Sequence, residues 1–254
     1  TIEELYTTLK EINRSRFPDC LEGAYNVVGN MYTMRDLKLG VACGANQKTS
    51  QSYSSSSSNT KLENALSGAW KIDNYWTVSP HLLISKIKIA VDALINADFT
   101  NGSGSVSIRK IYDFLKAAPY GFMPCNLSAF IIGFILKEYL NGNYSWGDGL
   151  TNEPLTLERL KSMVNDVIRL DVIPNPRYKD QYIVAMTPEQ KSFNEITSSA
   201  FGIALNLCTS IANVRERIRS KMKELPFPLW TLNYILDTEQ LATDRQVISN
   251  LIED

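Results

Sequence analysis

Residues 127–136 read Leu-Ser-Ala-Phe-Ile-Ile-Gly-Phe-Ile-Leu, which is apolar on nearly every side of a helix. Such a helix has no face to offer water, so the rest of the chain has to pack around it. It follows the run Ala118-Pro119-Tyr120-Gly121-Phe122, itself preceded by an amphipathic stretch with Ile108, Ile111, Tyr112 and Leu115 on one face. Proline and glycine interrupt the periodic pattern there. Residues 107–140 therefore predict two helices meeting at a buried corner.

The flanking segments read mostly as further helices. Residues 1–12 place Ile2, Leu5, Leu9 and Ile12 on one face, with Glu3 and Glu4 near the positive N-terminal end, and Phe17-Pro18 stops them. Short helices are expected around 25–28 and 34–39. Residues 40–59, with the serine tract 54–58, predict a disordered loop because Ser, Gly, Asn and Gln offer nothing to bury. Helices follow over 61–70 and from Pro80 through Asn96, and Asn101-Gly102-Ser103-Gly104 marks a boundary ahead of the cap residue Ser107. Thr156 caps a helix over 157–170. Asp171 to Ile173 and Gln181 to Met186 read as two strands joined by the turn 174–180. Thr187, Pro188 and Gln190 form a helix start of the capping-box type, opening a long helical stretch to residue 225 that breaks near Gly202. Two helices, 230–236 and 239–252, close the chain.

The fold class expected is mainly α with a small β-hairpin, a helical bundle around a winged-helix-like central domain. Its regions are 1–104, 105–187 and 188–254. The absence of an initiator Met at Thr1 suggests a fragment or a processed chain. With 254 residues, 44% of them hydrophobic, the chain has the material for a sizeable core. A formal net charge of −1 gives no global pull toward nucleic acid or anionic membrane, so any basic surface must be local. The longest apolar run, 127–136, is too short to span a bilayer, which predicts no membrane partner. Cys20, Cys43, Cys125 and Cys208 show no C-x-x-C spacing. They suit reduced thiols, with Cys125 and Cys208 buried, in a cytoplasmic protein.

Several chemical motifs fail on inspection. In Gly40-Val-Ala-Cys-Gly44-Ala-Asn-Gln-Lys48-Thr49, a phosphate-binding loop would need glycine where Gln47 stands and again at Ala42. A surface loop is the better reading. A calcium loop with Gly102 at its sixth position would put Ala97 first and Ile108 at the place of the bidentate glutamate. His81 is the only histidine, which removes any multi-histidine metal site, and its position just after Pro80 suits an exposed polar residue. The carboxylates Asp92, Asp98, Glu138, Asp166 and Asp171 look dispersed, and Trp70, Trp76, Trp146 and Trp230 lie in apolar surroundings that suit core anchors. No catalytic residue, cofactor-binding residue or metal ligand is assigned.

One arrangement carries functional content. Three helices (108–117, 127–140, 157–170) followed by a hairpin (171–186) is the order of a winged helix, whose third helix can enter a major groove while the hairpin tip touches phosphate. Arg159, Lys161 and Arg169 would lie on the outer side of that helix and Arg177 and Lys179 at the tip, interleaved with Glu158, Asp166, Asp171 and Asp180. These five cations are the candidate contact residues, for double-stranded DNA or for a protein partner.

The chain also resembles a known family. Phe17-Pro18 after a helix, Ala69-Trp70, the run 115–122 with Pro119-Tyr120-Gly121-Phe122 before an apolar helix, and Pro226-Phe-Pro-Leu-Trp230 are similar to the region beyond the ATPase core of large bacterial P-loop ATPases. Those of the BREX phage-defence type and related giants are the nearest in pattern. The resemblance implies a non-catalytic accessory region, in contact with the rest of an ATPase chain or with other subunits of the system, and it lends no nucleotide-binding residue. Two other readings remain open: a stand-alone winged-helix DNA-binding protein, and an enzyme with a site between the N-terminal helices and the centre.

Overall fold

A helix without a polar face needs partners on all sides, and the chain supplies them from both directions. The computed structural model describes residues 1–21, 33–45, 66, 69, 72–101, 104–204 and 211–224. The described helices are α1 (Ile2–Arg16), α2 (Leu37–Ala45), the single turn α3 (Tyr75–Val78), α4 (Leu83–Asn101), α5 (Ile108–Lys116), α6 (Asn126–Leu136), α7 (Leu157–Leu170), α8 (Pro188–Phe201) and α9 (Ile211–Lys223). A 3-10 turn, Lys137–Leu140, continues α6. The strands are β1 (Ser105–Ser107), β2 (Tyr144–Gly147), β3 (Asn152–Pro154) and β4 (Tyr182–Ala185). The chain divides into two compact units, Thr1–Lys191 and Ser192–Asp254.

The first unit is built on α6, every residue of which is buried. Its polar residues are satisfied locally. Asn126 donates from its backbone to the Thr33 carbonyl at 2.8 Å and from its side chain to the Arg35 carbonyl at 2.9 Å, and Ser128 Oγ donates to the Met123 carbonyl at 2.6 Å. On one side α6 meets α2, and the contact is closed by two glycines. A Cβ on Gly44 would come within 2.1 Å of the Phe130 carbonyl oxygen, and one on Gly133 within 2.4 Å of the Val41 carbonyl oxygen. The two backbones touch where neither residue has a side chain.

On the other side lie α5 and α7. Ile108, Ile111 and Tyr112 of α5 and Val164, Val167 and Ile168 of α7 close around Ile132 with no space for a water. Caps fix where these helices begin: Ser107 Oγ accepts from the Lys110 backbone, Thr156 Oγ1 from that of Arg159, and Thr187 with Gln190 forms the reciprocal box. The corner between α5 and α6 is held from the N-terminal segment. Gly121 has φ +65° and lies under the Phe17 ring, 2.7 Å from where a Cβ would sit, and the Asp19 N–H donates to the Pro119 carbonyl at 3.1 Å. The Ala118-Pro119 peptide is cis.

The sheet is antiparallel throughout, in the order β1-β4-β2-β3. Val106, Ile183 and Trp146 stand opposite one another in one cross-strand row and are buried. The alternate positions Ser105, Ser107, Tyr182, Val184, Ser145 and Gly147 form the other face.

Several expectations from the sequence need correction. The hairpin over 171–186 does not form. Asp171 to Ile173 is a turn in which the Val172 and Ile173 N–H groups both donate to the Arg169 carbonyl, finishing α7, and only Tyr182–Ala185 becomes a strand. The hairpin that does exist, β2–β3, lies between the second and third helices of the expected trio, inside a stretch rich in Gly and Asn. Gly40 to Gly44 is not a surface loop but part of α2, buried because its glycines suit the close approach to α6. The core is continuous across position 104, joining Ile84, Ile87, Val91 and Ile95 of α4 to Val106 and Ile183 of the sheet. The helices expected around 25–28, over 230–236 and 239–252, and over most of 61–70, like the serine tract 54–58, lie outside the described residues.

In the second unit, Gly202 at φ +61° ends α8, and Ser198 both donates to the Ile203 carbonyl from its hydroxyl and accepts the Ile203 N–H on its own carbonyl. Ile203 and Val214 are buried there with Phe201 and Ile218 against them.

Because the obstacle at each glycine is backbone, Gly44→Ala and Gly133→Ala should each destabilise the first unit by about 3 kcal/mol, the upper part of the range for overpacking. Urea midpoints would measure this. The double variant should cost less than the sum of the singles, since one shift of α2 from α6 relieves both clashes.

Candidate functional site

The five candidate cations do not form one surface. Arg159 leaves the first turn of α7 to pair with Glu153 on β3, and its guanidinium lies 4.2 Å from the centre of the Trp146 ring. Lys161 pairs with Glu158 at 2.7 Å. Both are half-buried, and their charges are answered by carboxylates of their own neighbourhood. Arg169 is ten residues beyond Arg159, about 15 Å further along the helix axis.

The structure does bring Arg169, Arg177 and Lys179 together. They line an open depression of about 510 Å³ formed by the end of α7 and the segment leading to β4, with Asn175, Tyr178 and Gln181 among its other walls. Arg169 Nε donates to Asn165 Oδ1 at 3.0 Å, which steers the guanidinium along the helix. The Asn175 side chain accepts the Arg177 N–H at 3.0 Å, setting the bend that presents Arg177 and Lys179 to solvent.

The nearby carboxylates have partners within the protein, although Asp166 lines the same depression. Asp171 pairs with Lys116. Asp180 accepts from the Ser107 hydroxyl, the Tyr178 hydroxyl and the Gln181 N–H. Burial, then the charge of Asp180, pushes the Tyr178 hydroxyl well above its ordinary range, so it stays a neutral donor. Asp166 accepts from Asn165 and from Gln181, whose amide oxygen in turn accepts the Trp146 indole N–H at 2.9 Å. Arg177 and Lys179 enter none of the ion pairs of this region.

A second open depression, about 700 Å³, covers the outer face of the sheet over Ser105, Gly147, Asn152, Tyr182 and Val184, and Lys179 borders it too. In the second unit, Arg215, Arg217, Arg219, Lys221 and Lys223 of α9 are exposed, alternating around the ridge of Val214 and Ile218. The sequence places this helix within the stretch that runs to residue 225, but its cations are not among the candidate contact residues. Its signal is a run of basic residues at every second position.

A different group escaped the sequence reading altogether. Lys88 is only 1% exposed and lies 2.7 Å from Asp92 and 3.5 Å from Glu138, with the Trp76 and Tyr139 rings 4.9 and 5.0 Å from its ammonium. Tyr139 donates to the same Asp92 oxygen at 2.9 Å. Two carboxylates that look dispersed in the sequence thus converge on one buried cation. Beside them, Lys137 sits 4.2 Å over the Phe134 ring and 3.7 Å from Glu138, and burial pulls its amine down to about 8. Burial also raises Glu138. This cluster clamps α3, α4 and the 3-10 turn together. The clue in the sequence was Lys88 itself, four residues from Ile84 on the apolar stripe of α4.

The seam between the N-terminal segment and the centre, where an enzyme site was one reading, encloses about 10 Å³, room for one water, between Cys20, Leu21, Tyr120, Phe122, Leu127 and Ile131. Among the described residues no three His, Cys, Asp or Glu side chains gather as a metal site, and no helix is long and apolar enough to cross a membrane. Cys20, Cys43 and Cys125 carry reduced thiols, the last two buried, and Cys208 lies outside the described residues. The chain matches no protein-family model, no curated protein and no solved structure.

Lys88→Met should destabilise the first unit by about 3 kcal/mol, because Asp92 and Glu138 lose their common counter-charge, and adding Glu138→Gln should restore part of that loss. The pH dependence separates out Lys137. Its folded value of about 8 lies below its ordinary 10.5, so the unfolded chain holds the extra proton between those values. This residue's contribution to stability therefore rises with pH across that window. Unfolding free energies of wild type and Lys137→Met, compared from pH 7 upward, should converge if Lys137 is charged and destabilising at the start and should show no change in their difference if it is not.

Proposed function

We propose that this chain is a non-catalytic contact region of a larger ATPase and that it contacts the phosphate backbone of double-stranded DNA. The observation that carries the reading is the open depression edged by Arg169, Arg177 and Lys179, whose neighbouring carboxylates are engaged within the protein. Arg177 and Lys179, exposed and outside the ion pairs of the region, attract a polyanion even with Asp166 on the wall beside Arg169, and phosphate contacts of this type fix position rather than sequence. The exposed cations of α9 add further positive charge, with Arg215, Arg219 and Lys223 on one side of that helix. The link to an ATPase rests on the family resemblance of the corner and its flanking motifs.

The winged-helix-like element of the proposal is narrower than the sequence suggested. Three helices backed by a sheet present the end of α7 and the loop after it, where a wing would otherwise lie. On α7, the helix expected in a groove, Arg159 and Lys161 are held by Glu153 and Glu158, so binding is expected to be indifferent to base sequence. A protein partner with an acidic surface is the second reading, favoured by the exposed side chains of Val172 and Ile173 beside the three cations.

Fluorescence anisotropy with a labelled duplex should detect binding at low salt that weakens steeply as salt rises. Arg177→Ala with Lys179→Ala should weaken it about tenfold or more and reduce the slope of log K against log salt by about 2, one unit per lost phosphate contact. Arg159→Ala with Lys161→Ala should leave the slope unchanged. Absence of duplex binding at low salt would remove the DNA reading and leave the protein partner.

A further inference from the structure

The helix α1 is amphipathic, yet none of its residues is buried. Ile2, Leu5, Tyr6, Leu9 and Ile12 are between 54% and 85% exposed. The four aliphatic residues follow one another at spacings of three, four and three, the seam spacing of a coiled coil. A helix held by a capping box at Thr1 and carrying such a seam is a preformed half of a helix pair.

We propose that α1 pairs antiparallel with α1 of a second copy of this chain. The four seam residues are symmetric about residue 7: turned end for end, Ile2 of one copy meets Ile12 of the other, and Leu5 meets Leu9. All four layers then join like with like, without an overhanging apolar residue. The positions flanking the seam, Tyr6, Thr8, Asn13 and Ser15, are uncharged, so nothing there repels a second copy.

Direction follows from charge. Glu3 and Glu4 lie in the first turn, whereas the second half holds Lys10, Arg14 and Arg16 against Glu11 alone, with the two arginines in the last turn. Antiparallel pairing sets the acidic end of each helix beside the basic end of the other and also opposes the helix dipoles. Parallel pairing would fill the layers equally well but would place like ends together. A helix of 15 residues is about 22 Å long, and four layers bury less than the roughly 800 Å² per partner of a standard interface. The association is accordingly weak, reversible and sensitive to salt.

Analytical ultracentrifugation of the full chain over a series of rising concentrations at low salt should show a reversible monomer–dimer equilibrium that weakens as salt is added. Leu9→Glu, at an exposed position, should leave the circular dichroism spectrum unchanged and lower the association constant at least tenfold. For direction, a Leu5→Cys chain is mixed with a Leu9→Cys chain, oxidised, and the α1 peptides are mapped by mass spectrometry. The 5-to-9 crosslink should exceed 5-to-5 and 9-to-9. A chain that stays monomeric at every concentration, a dimer indifferent to Leu9→Glu, or a majority of like-with-like crosslinks would each overturn the proposal.

Discussion

The first unit depends on two backbones lying in contact. Gly44 and Gly133 allow α2 and α6 to approach until carbonyl oxygens occupy the space that Cβ atoms would need. This approach brings α6 against α2 closely enough for Leu37, Val41 and Cys43 to join its core, while α5 and α7 complete the cover with branched side chains. Interiors packed at crystal-like density transmit such a constraint outward. Moving α2 would open space around Phe130 and Phe134, and Phe134 is the ring against which both Tyr75 and Lys137 are placed. The place of Lys137 is thus tied to the glycine contact through the Phe134 ring.

The helices were legible where local chemistry specified them. Ser107, Thr156 and Thr187 each announce a helix start through a side-chain oxygen placed three residues before a free backbone N–H, and that signal needs no tertiary information. The strands were not legible, for a physical reason. β2 and β3 have four and three residues, and only Tyr144 and Trp146 of β2 pack on the core from them. β2 is held by β4, more than thirty residues away in the chain, which no local window contains. Conversely, Val172 and Ile173 look like a strand because they are β-branched, but their N–H groups are taken by the Arg169 carbonyl at the end of α7, and Pro174 and Pro176 follow without donors. Gly40 and Gly44 were misread because glycine in sequence signals a loop as readily as it signals a helix packed too closely for side chains.

The candidate cations were legible in residue type but not in pairing. That Arg159 would be held by Glu153 and Trp146 depended on the unforeseen β2–β3 hairpin, which brings both partners to the start of α7. Arg169, Arg177 and Lys179 keep their outward charge because the loop after α7 turns at Asn175 instead of running on as a strand. The buried Lys88 group illustrates the same limit from the other side. A lysine on an apolar stripe can be seen in the sequence, but its two carboxylates lie on different elements and become partners only after α4 and the 3-10 turn have packed.

A chain of net charge −1 can still present a positive face if its acids and bases are sorted differently by the fold. Here several carboxylates have been drawn into internal work. Asp92 and Glu138 hold Lys88, Asp171 holds Lys116, Asp180 secures the junction of β1 with the loop before β4, and Asp166 orients Gln181 under Trp146. Each such engagement fixes a piece of backbone, and the pairs with Lys88 and Lys116 also cancel charge locally. Asp166 and Asp180, bonded to neutral donors, keep their charge, so the positive character at the end of α7 rests on Arg177 and Lys179 projecting from the loop that Asn175 bends, and the contacts that stabilise the unit also set where its cations stand.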